Sequence, residues 1–188
     1  MPLQTWQETL VQAQSDGAAL TNTITETSIL PGQAKYTLAA NFLDYIGKTL
    51  RVRASGRIST VVTAPGTMTF RVKFGSIAVG TSPAFALNVV AKTNVTWVLE
   101  WSLTTRTLGQ TTTATLMHTG MWTSEAVIGS PVPGTGGSGS LLIPASAPAV
   151  GTGFDSIVAN VVDLSAQWST ASASNSIQLH QYALESIN

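Results

Sequence analysis

Apolar and polar residues alternate strictly over three stretches of the chain. In Leu50-Arg51-Val52-Arg53-Ala54 the apolar residues point one way and both arginines the other. Met68, Phe70, Val72 and Phe74 alternate with Thr67, Thr69, Arg71 and Lys73, and Trp97, Leu99, Trp101 and Leu103 with Val98, Glu100, Ser102 and Thr104. A period of two puts successive side chains on opposite faces of a strand, one packed and one wet. Further strands are predicted at 58–63, 76–79, 86–90, 114–122, 157–168 and 176–184. Turn residues punctuate them at Ser55-Gly56, Ala64-Pro65-Gly66, Ser82-Pro83 and Leu108-Gly109. The pattern predicts an all-β, single-domain antiparallel β-sandwich or jelly roll of about eight to ten strands.

Two stretches depart from the alternation. Over residues 3–14, Trp6, Leu10 and Ala13 recur at helical spacing, with Glu8 near the start. Three turns are marginal for an isolated helix, so residues 1–18 read as an N-terminal arm or short helix ahead of a β-domain at 19–188. Thr-rich residues 21–27 suit a pleated surface, and Pro31-Gly32 marks a turn. Residues 129–139, Gly-Ser-Pro-Val-Pro-Gly-Thr-Gly-Gly-Ser-Gly, predict a flexible exposed loop inside the domain, because strand patterns continue on both sides.

Composition sharpens this picture. A chain of 188 residues can bury roughly 70% of its unfolded surface, so it needs no disulfide or metal staple. It has no cysteine, which excludes thiolate metal sites and thiol nucleophiles. Nine basic residues balance nine acidic ones, which argues against nucleic-acid binding and a polybasic membrane anchor. Only 10% of residues are charged, against about 25% in ordinary domains. With 44% hydrophobic residues, such a surface has little electrostatic protection against self-association, and a homo-oligomer, a trimer, is expected. No apolar run is long enough for a spanning helix. The start, Met1-Pro2-Leu3-Gln4, lacks a basic region followed by an apolar core, so no signal peptide is expected.

The chemistry on offer is thin. His118 and His180, the two histidines, lie in no HExxH or HxH arrangement. A metal site would need them to meet a carboxylate such as Asp155 or Asp163; each is instead expected on its own strand, solvent-facing or hydrogen-bonded, and dispensable. No GxSxG elbow is present. Glu100 and Glu125 have no context marking them as a glycosidase pair. Residues 134–139 lack the GK[ST] ending of a phosphate-binding loop, and the Asn94-Val95-Thr96 sequon reads as chance. No catalytic residue, cofactor or metal is therefore assigned.

Charge placement says more. Six of the nine basic residues lie from Lys48 to Lys73, whereas the later chain carries Glu100, Glu125, Asp155, Asp163 and Glu185. If the strands bearing Arg51, Arg53 and Arg57 and those bearing Arg71 and Lys73 are neighbours, they form a basic patch suited to an acidic region of another copy. These residues, with Trp6, Leu10 and Val11 of the arm, are the candidate interface.

Five segments carry a resemblance: residues 38–42, 47–59 (Gly-Lys-Thr-Leu-Arg-Val-Arg-Ala-Ser-Gly-Arg-Ile-Ser), 92–97 (Lys-Thr-Asn-Val-Thr-Trp), 144–156 and 175–182 (Asn-Ser-Ile-Gln-Leu-His-Gln-Tyr). Together they resemble a family of small jelly-roll-like virion structural proteins of tailed bacteriophages. The resemblance implies a non-enzymatic component of the particle surface. The leading expectation is a capsid-surface decoration or cement protein that contacts itself and other virion proteins, such as the major capsid protein. The alternative is a tail- or fibre-associated protein that binds host glycans through Trp122, Trp168 or Tyr182. Exposed tryptophans would favour the alternative, buried ones the first reading.

Overall fold

Among the described residues, thirteen strands pair into two antiparallel sheets that face each other as a β-sandwich. The computed structural model describes residues 6–129 and 137–187. The first five residues of the expected arm and most of the glycine-rich loop, Gly134 and Gly136 included, lie outside the described residues.

The strands are β1 (Gln7–Gln12), β2 (Leu20–Thr21), β3 (Thr27–Ser28), β4 (Tyr36–Leu38), β5 (Thr49–Thr60), β6 (Thr67–Phe74), β7 (Ile77–Thr81), β8 (Phe85–Ala86), β9 (Lys92–Thr107), β10 (Thr115–Ser124), β11 (Gly139–Ile143), β12 (Asn160–Trp168) and β13 (Ser176–Ile187). One short 3₁₀ turn, Gly32–Ala34, precedes β4. The large sheet runs β1-β13-β5-β9-β10-β11, with β2 also on β13. The small sheet runs β3-β12-β6-β7, with β4 on β12 and β8 on β6. Consecutive β5 and β6 lie in different sheets and pair with β13 and β12 respectively. One antiparallel ribbon thus wraps across both sheets, as in a jelly roll.

The alternating residues build the core. Leu50, Val52, Ala54 and Ile58 of β5, Met68, Phe70, Val72 and Phe74 of β6, and Trp97, Leu99, Trp101 and Leu103 of β9 are all buried. Phe70 of the small sheet sits 5.8 Å from the Trp97 ring and 5.6 Å from the Trp122 ring of the large one. Phe85 stacks on Trp122 at 5.2 Å, so aromatic rings join the layers near the sandwich centre.

Three expectations need correction. Residues 7–12 are an edge strand on β13, not a helix: Gln7 pairs with Ile187 and Gln12 with Ala183, with a register shift between Thr9 and Val11. Ser55-Gly56 is not a turn but the middle of β5. A Cβ on Gly56 would overlap the carbonyl oxygen of Gln178, where the β13 register shifts between Leu179 and Gln181, so only glycine lets the strands approach there. Finally, 86–90 yields only the two-residue β8.

Candidate functional site

Strand register places Gln12, Ala183, Arg53, Glu100, Met121 and Leu142 as successive cross-strand partners over the outer face of the large sheet. Beside this row run Gln181, Ser55, Val98, Thr123 and Ser140, and on its other side Glu185, Arg51, Ser102 and Thr119. Short side chains, Ala183 and Ser55, sit beside the long Gln12, Arg53 and Gln181, and the surface is dished there. A depression of about 630 Å³ is lined by Gln12, Arg53, Ser55, Val98, Glu100, Gln181 and Ala183. A second, of about 320 Å³, lies between Arg51, Glu100, Ser102, Thr119 and Met121. A third, of about 450 Å³, lies at the Asn94–Thr96 and Thr123–Glu125 end. All three open on the same sheet.

The face is polar, and its charges largely cancel. Arg51 Nη1 lies 3.8 Å from Glu185, and Arg53 Nε lies 3.6 Å from Glu100. Both Nε and Nη2 of Arg57 donate to Gln178 Oε1, at 3.1 and 2.7 Å. Ser55 Oγ donates to Gln181 Oε1 at 3.2 Å, and Thr49 and Thr104 share a hydroxyl bond of 2.8 Å. One apolar group interrupts: Met121 and Leu142 are partners, with Val98 on the diagonal, and Leu142 is 67% exposed.

The basic patch does not form. Arg51, Arg53 and Arg57 lie on the large sheet, Arg71 and Lys73 on the small one. Arg71 and Lys73 converge on Glu26, at 3.3 and 3.0 Å. The Glu26 carboxyl loses solvent by burial, which alone would raise its pKa. The bond from Ser165 and the two cations outweigh that and hold it below its ordinary value. Charges segregated in sequence are thus paired in space, because β9 and β13 flank β5. Of the three arm residues proposed for the interface, Leu10 and Val11 pack against the core, whereas Trp6 is 56% exposed.

The glycan contacts expected at Trp122, Trp168 and Tyr182 are absent from the surface, since all three are buried. Trp168 Nε1 donates to the Leu20 carbonyl, and burial pushes the Tyr182 phenol up. Glu125 is buried against Lys92 (3.1 Å) and does not face Glu100. Asp155 accepts backbone N–H bonds from Thr111 and Ile157, while Asp163 accepts from Ser28 and pairs with Lys35. Among the described residues no three His, Asp or Glu side chains converge as a metal site, and no helix is long and apolar enough to cross a membrane.

The histidines do not meet. His180 Nδ1 lies 2.9 Å from Asp16, at the surface. His118 is buried and hydrogen-bonded, its Nδ1 accepting from Trp101 Nε1 at 3.2 Å. Burial pushes its imidazole below the ordinary value of 6.5. The folded protein therefore holds His118 neutral where the unfolded chain already takes a proton. Its contribution is fully present above pH 6.5 and falls as pH drops through that value toward the lower folded pKa. Melting temperature should fall more steeply between about pH 7.5 and 5.5 in the native protein than in His118→Asn, which keeps an acceptor for Trp101 but does not titrate. Parallel slopes in thermal melts would refute this.

No family model matches the chain, and no curated protein matches it. Solved structures do. The chain is similar to the CBM2 module of the evolved Dit of Lactobacillus casei BL23 phage J-1, at 9% identity and TM-score 0.41, over 99% of this chain and 98% of that one. It is also similar to winged bean acidic lectin complexed with methyl-α-D-galactose, at 8% identity and TM-score 0.30, over 98% of this chain and 100% of the other.

Sequence reasoning named Arg51, Arg53 and Glu100 but missed Gln12, Ser55, Gln181 and Ala183. The signal for these four is the short Ser55 and Ala183 set beside the long Gln12 and Gln181 across neighbouring strands, and it exists only once the register is known.

Proposed function

We propose that this is a non-enzymatic structural protein of a tailed-phage virion, acting at the particle surface as a homo-oligomeric decoration or cement protein. The observation that carries this reading is the grouping of exposed large apolar side chains on a charge-poor surface. Val62, Val89, Val90 and Ile128 are each about half exposed. Backbone bonds from Thr63 to Val89 and from Ile128 to Ala86 tie the loops that carry them. Such groups are a liability unless another subunit covers them, and burying the half of each that is exposed contributes roughly 0.8–1.5 kcal/mol, half the value for a whole side chain. The interior position of Trp97, Trp101, Trp122 and Trp168 supports the same reading, because the sandwich spends its aromatic rings on its own core.

Size exclusion coupled to light scattering should give about three times 19.6 kDa. Labelled protein added to stripped particles should appear on the capsid shell in electron micrographs. A monomer at micromolar concentration, or label confined to the tail, overturns the decoration reading. A tail or fibre location with glycan binding is the second reading, favoured by the dished outer face of the large sheet.

A further inference from the structure

We propose that the depression bounded by Gln12, Arg53, Glu100 and Gln181 is a binding site for a neutral, hydroxyl-rich ligand, a sugar ring or short glycan. This inference rests on the glycan binding of the second reading and gives it a site, but it requires neither a tail location nor a particular oligomeric state.

Shape comes first. Ala183 lies in register between Gln12 and Arg53, and Ser55 pairs with Gln181. Short side chains thus form the floor and long ones the walls. A volume of about 630 Å³ lies in the range of roughly 300–1,000 Å³ typical of small-ligand sites.

Chemistry then narrows the occupant. Arg53 Nε lies 3.6 Å from Glu100 Oε1, a long contact that leaves both side chains accessible to a ligand. Side chains of both residues are at least half exposed, at 50% and 59%. Gln181 uses its Oε1 as acceptor for Ser55, so its amide N–H groups remain to donate. The site therefore offers a carboxylate, a guanidinium and amides side by side. Two neighbouring hydroxyls on one ring fit the paired oxygens of a carboxylate or the paired N–H groups of a guanidinium, and each hydroxyl both donates and accepts.

Charge excludes the alternatives. An anion would meet Glu100 and a cation would meet Arg53, both on the lining. A neutral ligand meets neither penalty. Tyr182 also reaches the lining but is buried, so it offers no exposed ring for stacking, and recognition rests on hydrogen bonds and on the apolar contact of Ala183 and Val98. A few bonds of modest net value imply a dissociation constant on the order of a millimolar.

The test is saturation-transfer NMR with the whole chain. The probes are neutral di- to tetrasaccharides of glucose, galactose, rhamnose and N-acetylglucosamine, with sialylated and sulfated counterparts as the charged arm. At least one neutral saccharide should bind saturably. Ala183→Leu, which fills the floor and removes no polar group, should weaken it at least about tenfold. Arg53→Ala and Glu100→Gln, at exposed positions, should each do the same, whereas Arg71→Ala on the other sheet should not. Several results would overturn the proposal: no neutral binding up to roughly 10 mM, binding by charged saccharides alone, or affinity unchanged in Arg53→Ala and Glu100→Gln. So would a change in the light-scattering mass of these variants, which would make the face a contact between subunits or with another virion protein.

Discussion

Phe70→Ala is expected to lower the unfolding free energy by about 3–5 kcal/mol, the usual cost of deleting a buried aromatic ring. Phe70 is fully buried on β6 of the small sheet and touches rings from elsewhere: Trp97 on β9, Trp122 on β10 and Phe85 on β8. Its loss removes apolar burial and leaves a cavity at the seam, which close-packed interiors fill only in part. Against a typical total of about 5–15 kcal/mol, this brings the protein near its stability limit. Urea unfolding followed by tryptophan fluorescence should show a lower midpoint with an unchanged slope. A loss under about 1 kcal/mol would mean the two layers hold together without this ring cluster.

A comparable loss, about 3–5 kcal/mol, is expected for Lys92→Ala. Lys92 opens β9, and Nζ lies 3.1 Å from Glu125 Oε1, with side-chain exposures of 2% and 8%. Two charges taken out of water are tolerable together, but removing one leaves the other buried without its counter-charge. The double variant Lys92→Met/Glu125→Leu should recover most of the loss, because an apolar pair of similar volume needs no desolvation of charge. Denaturant melts of the single and double variants decide the matter. If both fall equally, the site depends on more than the ion pair.

The strands that carry the core were readable because their alternation is uninterrupted: Leu50 to Ile58, Met68 to Phe74 and Trp97 to Leu103 each keep one phase. The misreadings have physical causes. In β1 the register slips between Thr9 and Val11, so Leu10 and Val11 both pack inward and the spacing imitates a helical repeat. Ser55-Gly56 looks like a turn, yet Gly56 answers a close approach by β13, a partner more than a hundred residues away. Two-residue strands such as β2, β3 and β8 are too short to show any period. The candidate site was the least legible part. Nothing in the local sequence tells that Gln12, Ala183, Arg53 and Glu100 share one row, and no pattern distinguishes β5 and β6 as partners from β5 and β6 in separate sheets.

The wrapped ribbon also imposes a schedule on biosynthesis. β13 lies between β1 and β5, yet Gln7 waits for Ile187 and Val52 for Leu184. At about 5–20 residues per second, the interval between completing β5 and starting β13 is on the order of ten seconds. Until then β1 has no partner, β5 has one open side, and the apolar rows ending in Leu50 and Ile58 face no finished core. Such open edges invite pairing with other nascent chains, and pairings this distant in sequence close slowly. The arrival of β13 therefore decides whether each newly synthesised copy becomes a sandwich or an aggregate.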